Sequence, residues 1–428
     1  MSPTCAILGL SHATPPEIMS TPAPDRRPAV RLVMVTSENN NKVYEMAENG
    51  DGTFTARFGR IGARLQERTY PSARWEATYR AKTRKGYTDI TSLAAESDDT
   101  GFAIDDPAVA ALVGRLRDAA DRVLNAQYLV APGSVSVRQL DEAQAHIDAL
   151  AGLAGRITEA RQPDLVEAFD GHLLDLYRTI PRAMGNVRQH LLGGTLAVDA
   201  LAATLDGEQE ALDRMAQRVR LGDAPARQPL LDALGFDLRA VTHARVLGRI
   251  RNMMGTHADR LESVVEVVHP RLRAAFDAHV ARSRQKKTRL LWHGSRSENW
   301  LSILETGLVL NPARAVITGK MFGHGLYFAT SFQKSLNYTS VRGACWTGHG
   351  SDRGYLGLYD VHVGSPLVVR KHHGWCYELT AERLAARKRF GAPDSLHARA
   401  GSMLRHDEIV VYRAAQACPR YLVEVREG

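Results

Sequence analysis

The run Leu290-Leu-Trp-His-Gly-Ser-Arg296 is a short apolar stretch that ends in a histidine, a glycine and a serine. It reads as a buried strand, and Gly294 leaves no side chain to keep a ligand from the backbone. Alone, a strand-end histidine is more often a structural residue than a catalytic one. Downstream, Gly319-Lys-Met-Phe-Gly-His-Gly-Leu-Tyr-Phe-Ala329 is punctuated by glycines. It lacks the strand–GxGxxG–helix order of a Rossmann dinucleotide fingerprint. A third segment, His406-Asp-Glu-Ile-Val-Val-Tyr412, sends a carboxylate into a continuous apolar strand. A buried Glu408 is costly there unless it has partners or a task.

Working outward, the chain from 289 onward is strand-rich, with apolar runs at 290–292, 326–329, 354–363, 409–412 and 421–425. The preceding stretch, 106 to about 234, is helical in pattern. Asp106-Pro107 sets a capping side chain before a first-turn proline. Val109, Leu112, Val113, Leu116, Ala120 and Val123 then share one face at helical spacing. Ser136 and Gln139 form a capping box opening a second helix, with Leu140, Ala143, Ile147, Leu150 and Ala154 inward. Further helical patterns span 165–177 and 198–219.

Earlier still, 30–35, 42–46 and 53–59 are short strand-like runs separated by Asn/Gly turns, which predicts a small antiparallel sheet. A helix is predicted over 72–82. Between Ala56 and Thr88 there are nine Lys/Arg and two acids, with Phe58, Tyr70, Trp75, Tyr79 and Tyr87 interleaved. That is the electrostatic footprint of a nucleic-acid surface. Residues 96–106 read as an acidic linker. Residues 1–29 hold six of the eighteen prolines and read as a disordered leader, within which Met19 is an alternative start.

The 428 residues suggest two or three domains, and 44% hydrophobic content supplies real cores. No apolar run approaches the roughly 18–20 residues of a membrane span, so an integral membrane protein is not expected. The start has no charged segment before an apolar core, so secretion is not expected. Four cysteines without a CxxC pair argue against a disulfide framework or a Cys-rich zinc finger. Six scattered histidines (His349, His362, His372, His373, His397, His406) lack a metal-ligand spacing, so no metal is expected. The net charge of +8 favours a polyanionic partner.

Together the three segments resemble the catalytic domain of the poly(ADP-ribose) polymerases, within the diphtheria-toxin-like ADP-ribosyltransferases. The resemblance rests on LLWHGSR at 290–296, TGKMFGHGLYFA at 318–329, KSLNY at 334–338 and DEIVVY at 407–412. The basic module resembles a WGR domain, with Phe58-Gly59-Arg60 where the family usually has Trp-Gly-Arg and Lys82-Thr-Arg-Lys-Gly-Tyr87 after it. The helical part resembles the regulatory bundle of the DNA-dependent members, at Gly133-Ser-Val-Ser-Val-Arg-Gln-Leu140 and Leu176-Tyr-Arg-Thr-Ile-Pro181. It covers most of 30–428, most weakly between Asn186 and Lys287. The implied fold is α+β multidomain: a leader (1–29), a small antiparallel β WGR-like DNA-binding domain (30–96), an all-α regulatory bundle (102–235), and a mixed α/β ADP-ribosyltransferase domain of two packed antiparallel sheets (236–428).

The resemblance implies NAD⁺ as substrate and a catalytic set of His293, Tyr327 and Glu408. Glu408 would bond the ribose 2′-hydroxyl and stabilise the positive charge that grows as nicotinamide leaves. His293 would hold the adenosine ribose, and the Gly294 backbone would pair with the carboxamide. Tyr327 and Tyr338 would sandwich the ring, Ser335 would bond the carboxamide oxygen, and Lys334 would assist near the donor ribose. Asn299 would lie on the adenosine side, with Ser295, Arg296, Phe328 and Ala329 completing the cofactor set. Phe58, Arg60, Arg64, Trp75, Lys82, Arg84 and Lys85 would bind DNA strand breaks.

The implied activity is DNA-break-activated ADP-ribose transfer to protein acceptors, the chain itself included, and to growing polymer. It would take place on the nucleoid of a bacterium or in the nucleus of a eukaryote. Mono-ADP-ribosylation of protein or DNA ends, and a silent nucleic-acid scaffold, are the rival expectations. Three departures stand out: Val309 where relatives often have arginine, Phe58 for Trp, and a distinct span between Tyr338 and Glu408 that includes the acceptor-side loop.

Overall fold

The structure is a computed structural model and describes residues 27–91, 104–157, 160–223, 229, 234–310, 321–342, 350–387, 391–401 and 404–428. Most of the expected leader, the 96–103 part of the linker, Thr318–Lys320 of the second motif and His349 lie outside the described residues.

Near the N-terminus, β1 (Val30–Thr36), β2 (Asn40–Glu48), β3 (Thr53–Arg60), β4 (Gln66–Pro71) and β5 (Thr88–Asp89) form an antiparallel sheet ordered β4-β3-β2-β1-β5, with α1 (Trp75–Thr83) between its last two strands. The β2–β3 turn needs left-handed backbone at Gly50 and Gly52 (φ 85° and 83°). Strand alternation sorts the side chains into two cores. Leu32, Tyr44, Met46, Phe54 and Ala56 pack with Trp75 of α1 on one face. The odd-numbered Val33, Val35 and Val43 turn to the other face and join the helical bundle's core.

The bundle comprises α2 (Pro107–Gln127), α3 (Val137–Ala154), α4 (Pro163–Thr179) and α5 (Leu201–Asp223). Asp106 accepts from the amides of Ala108 and Val109 ahead of Pro107, and the Ser136/Gln139 box closes the start of α3. On α2 the buried face ends at Leu124 rather than Val123, which is half-exposed.

The helix also belongs to two bodies. Val109, Leu112, Val113 and Leu116 pack in the C-terminal core with Leu291, Tyr355 and Leu422, whereas Leu124 packs with the bundle and small sheet. Hence the linear boundary near 235 does not coincide with the boundary between cores.

The C-terminal part contains β6 (Asp237–Ala240), α6 (Ala244–Met254), β7 (Leu261–Val268), α7 (Pro270–Arg282), β8 (Thr288–Gly294), α8 (Trp300–Thr306), β9 (Leu326–Ala329), α9 (Phe332–Leu336), β10 (Arg353–His362), β11 (Pro366–Val369), α10 (Ala381–Ala385), β12 (Ser395–Ala398), β13 (Glu408–Val411) and β14 (Ala417–Arg426). The expected pair of antiparallel sheets is instead one hydrogen-bonded sheet, ordered β11-β12-β13-β9-β8-β10-β14-β7-β6. Its halves meet through a single residue pair, Trp292↔Ala329, and the β11–β12 pair is parallel. With only that pair joining them, the halves come close to the two sheets that the resemblance implied.

Candidate active site

The three motifs converge because β8, β9 and β13 are consecutive in the sheet. The Trp292↔Ala329 bridge sets His293 beside β9, and the β13–β9 register pairs Glu408 with Ala329 and Val410 with Tyr327.

His293 Nδ1 lies 3.0 Å from the Tyr327 carbonyl oxygen. A carbonyl only accepts, so Nδ1 carries the proton and Nε2 is left as an acceptor. The ring sits among Trp300, Phe328 and Tyr359, at centroid distances of 6.4, 5.8 and 5.9 Å. Burial in this box holds the imidazole below its ordinary pKa, which keeps it neutral.

Glu408 is 8% exposed, and its Oε1 lies 2.7 Å from Nζ of Lys334 on α9. The expected cost of sending a carboxylate into an apolar strand is therefore met by a cation. The Tyr327 hydroxyl donates to the Gly323 carbonyl (2.9 Å) and accepts from the Phe322 amide (3.0 Å). Burial, with Glu408 adding to it, raises that phenol's pKa well above its usual range. The tyrosine is thus a fixed, uncharged wall. Tyr338 is 43% exposed, and burial of its remainder and Glu408 raise its pKa too.

Gly294 has a steric reason to be glycine. A Cβ there would stand 1.9 Å from the carbonyl oxygen of Ser335 in the last turn of α9, so strand end and helix approach backbone to backbone.

A cavity of about 1220 Å³ opens over these groups. All eleven residues assigned to the cofactor line it, as does Glu408: His293, Gly294, Ser295, Arg296, Asn299, Tyr327, Phe328, Ala329, Lys334, Ser335 and Tyr338. Phe328 is 1% exposed and serves from behind, as packing for His293. The sequence reading missed Met321, Leu404, Arg405 and His406 near Glu408, and Glu210 from α5. Arg405 and His406 directly precede the DEIVVY motif, a neighbourhood that could have flagged them. Nothing local marks Glu210.

That residue belongs to a contact between bundle and cleft. Glu210 Oε2 lies 2.8 Å from Nη2 of Arg296, and Arg214 Nη1 donates to Asn299 Oδ1 at 2.8 Å. Arg214 is 4% exposed, and its Nε has no hydrogen-bond partner among the described residues. A second cavity of about 540 Å³ runs between α5 and α8 and shares His293, Ser295 and Asn299 with the first. Arg220–Glu305 (2.5 Å) and Arg115–Glu424 (3.0 Å) add further ion pairs across the same boundary.

In the small domain, the residues assigned to nucleic acid divide. Arg64, Arg84 and Lys85 are exposed. Lys82 is half-buried with Nζ 3.8 Å from the Tyr44 ring centroid, and Phe58 stacks on Tyr44 at 5.4 Å.

Two assignments are corrected. Trp75 is 4% exposed and packs edge-on against Phe54 at 5.1 Å, so it is a core residue and cannot stack on a base. Arg60 spends its donors on the Asn39 carbonyl, the Asn39 side chain and the Gly185 carbonyl, which ties the sheet to the bundle rather than leaving a guanidinium for phosphate.

Among the described residues no cluster of three or more His, Cys, Asp or Glu is placed to hold a metal ion. None of the described helices is long and apolar enough to cross a membrane.

Residues 242–427 match the family model of the poly(ADP-ribose) polymerase catalytic domain. A poly(ADP-ribose) polymerase-like protein of invertebrate iridescent virus 6 is 34% identical over 152 residues, which cover 35% of this chain and 77% of the viral one. Poly(ADP-ribose) polymerase 2 of Arabidopsis thaliana is 38% identical over 109 residues, 26% of this chain and 16% of the plant protein. Poly(ADP-ribose) polymerase 1 of Xenopus laevis is 28% identical over 244 residues, 54% of this chain and 23% of the frog protein. The chain thus spans most of the viral relative and under a quarter of the other two.

Proposed function

Because this chain belongs to the poly(ADP-ribose) polymerase family and is an NAD⁺ ADP-ribosyltransferase, we propose that broken DNA switches it on and that the α5 contact with the cleft is the switch. The observation that carries this reading is that Glu210 and Arg214 hold two residues assigned to the donor, Arg296 and Asn299, the second of them on its adenosine side. NAD⁺ and the bundle therefore compete for the same side chains. Arg214 is a buried cation with an unpaired Nε, so the closed state carries a cost that favours release. The small sheet shares a core with the bundle, which gives a bound DNA end a path to it.

Once the donor enters, the neutral Nε2 of His293 accepts from a ribose hydroxyl. Tyr327 and Tyr338 flank the nicotinamide, and a cationic ring over a tyrosine face gains about 0.5–2 kcal/mol, which favours the intact substrate. The nicotinamide–ribose bond then breaks with its electron pair leaving on nicotinamide, and positive charge grows on the ribose. A carboxylate at ~4 Å and an effective dielectric near 20 stabilises that charge by about 4 kcal/mol. That corresponds to roughly a thousandfold in rate. Glu408, held by Lys334, supplies it, and the acceptor nucleophile completes transfer on the exposed side.

Nicotinamide release is measured with and without nicked or blunt-ended DNA, and the products are sized on a denaturing gel. Stimulation with laddered product supports the reading. Equal rates overturn the switch, and a single added ADP-ribose overturns polymer formation.

A further inference from the structure

We propose that His397 and Asp407 are a positioning pair that fixes where Glu408 enters the cleft. The role rests on the reading of Glu408 given above. Asp407 is the last residue before β13. Its Oδ2 lies 2.7 Å from Nε2 of His397, its Oδ1 accepts from the Ala400 amide at 2.8 Å, and Nε of Arg399 stands 3.8 Å away. These partners all sit on β12 or just beyond it, across the hairpin. The β12–β13 register is Ala398↔Glu408 and His397↔Ile409.

Neighbouring residues on extended chain point to opposite faces. Asp407 therefore turns into the hairpin while Glu408 turns to Lys334 and the cleft. The cavity is lined by Leu404, Arg405, His406 and Glu408 but not by Asp407. So Asp407 acts through its neighbour rather than on substrate. Burial alone would raise the Asp407 carboxyl's pKa, but the Ala400 amide, His397 and Arg399 outweigh that and hold it below the usual carboxylate range. An anion is thus maintained at the root of the hairpin, and a charge-assisted bond to His397 is short and directional.

Such a clasp matters because catalysis is steep in distance: a misplacement of about 1 Å costs on the order of a hundredfold. Lys334 constrains the tip of Glu408, and the Asp407 clasp constrains its backbone. Removing the clasp should move the carboxylate while leaving the donor's binding walls in place.

The test uses the full chain with nicked DNA and follows nicotinamide release. Asp407→Ala is expected to lower kcat by about ten- to a hundredfold, with KM for NAD⁺ within about twofold. Asp407→Asn keeps an oxygen for the Ala400 amide and should recover most of the loss. Where Glu408 is already Gln, Asp407→Ala should have no further effect, since no carboxylate remains to be aimed.

Unchanged kcat, a KM that rises in step with the loss, or the same further loss in the Glu408→Gln background would each overturn the proposal. If Asp407→Ala does not fold, His397→Ala replaces it: a several-fold drop in kcat at constant KM supports the pair, and wild-type kcat overturns it. A wild-type chain that releases no nicotinamide overturns the reading of Glu408 and this role with it. That outcome is distinct from an active wild type matched by Asp407→Ala.

Discussion

Nζ of Lys334 lies 2.7 Å from Oε1 of Glu408, and both side chains are largely buried, so the cleft's carboxylate is held as half of an ion pair. Taking the charge off Glu408 should cost the transition state more than the ground state. Glu408→Gln is expected to lower nicotinamide release by roughly a thousandfold. Affinity for a nicotinamide analogue, read by calorimetry, should stay within a few-fold. A variant with near-normal turnover would remove Glu408 from the chemistry.

At Gly294 the forecast is steric. A methyl group there would overlap the Ser335 carbonyl, so strand and helix would have to separate. Overpacking of this kind costs about 1–3 kcal/mol or more. Gly294→Ala should lower the thermal midpoint by several degrees and raise KM for NAD⁺. A variant indistinguishable from wild type in both would show that the close approach is dispensable.

The bundle's contact with the cleft can be loosened from its exposed end. Glu210→Ala breaks the bond to Arg296 and also removes the carboxylate 3.6 Å from buried Arg214. Turnover without DNA should rise several-fold while the DNA-stimulated rate changes little, because less preference for the open state is then required of DNA. Unchanged DNA-free turnover would separate this contact from control.

In the small domain, exposed and buried residues should behave differently. Arg84→Glu or Lys85→Glu should weaken DNA binding without changing stability, and each should flatten the salt dependence by about one unit of slope. Trp75→Ala should instead unfold the domain, at about 3–5 kcal/mol for a buried aromatic. Fluorescence anisotropy across a salt series, paired with thermal melts, distinguishes the two. A Trp75→Ala domain that stays folded while losing DNA would reverse the assignment.

Stability should also depend on pH in a definite direction. Burial lowers the pKa of His190, His269, His279 and His293. The unfolded chain takes up protons at such sites near pH ~6.5, whereas the folded chain resists until lower pH. The unfolded state therefore binds more protons below about pH 6.5, so stability falls on acidification through that window and levels off above it. Thermal midpoints between about pH 5 and pH 8 should show this, and His279→Gln should flatten the slope. A midpoint independent of pH would contradict it.

Features written in neighbouring residues were legible without coordinates. Asp106 before Pro107 and Ser136 before Gln139 are complete chemical devices within four residues, and they start helices as read. The residues assigned to the cofactor lie in local motifs, and the register of three adjacent strands gathers them around one cavity.

What escaped depends on burial or on distant packing. Trp75 among basic residues reads the same whether its ring meets a base or Phe54. Arg60 looks free until Gly185, far along the chain, comes to rest against it. Glu210 and Arg214 are ordinary helix residues in the sequence, and only the packing of α5 on α8 makes them neighbours of the cleft. One Trp292↔Ala329 pair decides whether the strands count as one sheet or two, and no pattern announces it.

The double membership of α2 sets a rule for anyone trimming this chain. Cut at 236, and the C-terminal body loses the rod whose Val109, Leu112, Val113 and Leu116 fill its apolar slot, exposing Leu291, Tyr355 and Leu422 to water. Truncates that begin there should be sticky, and those that keep 104–117 should keep that slot covered. The same rod couples the two halves: any wide parting has to pull one end of it out of the core it fills or break the helix between Leu116 and Leu124.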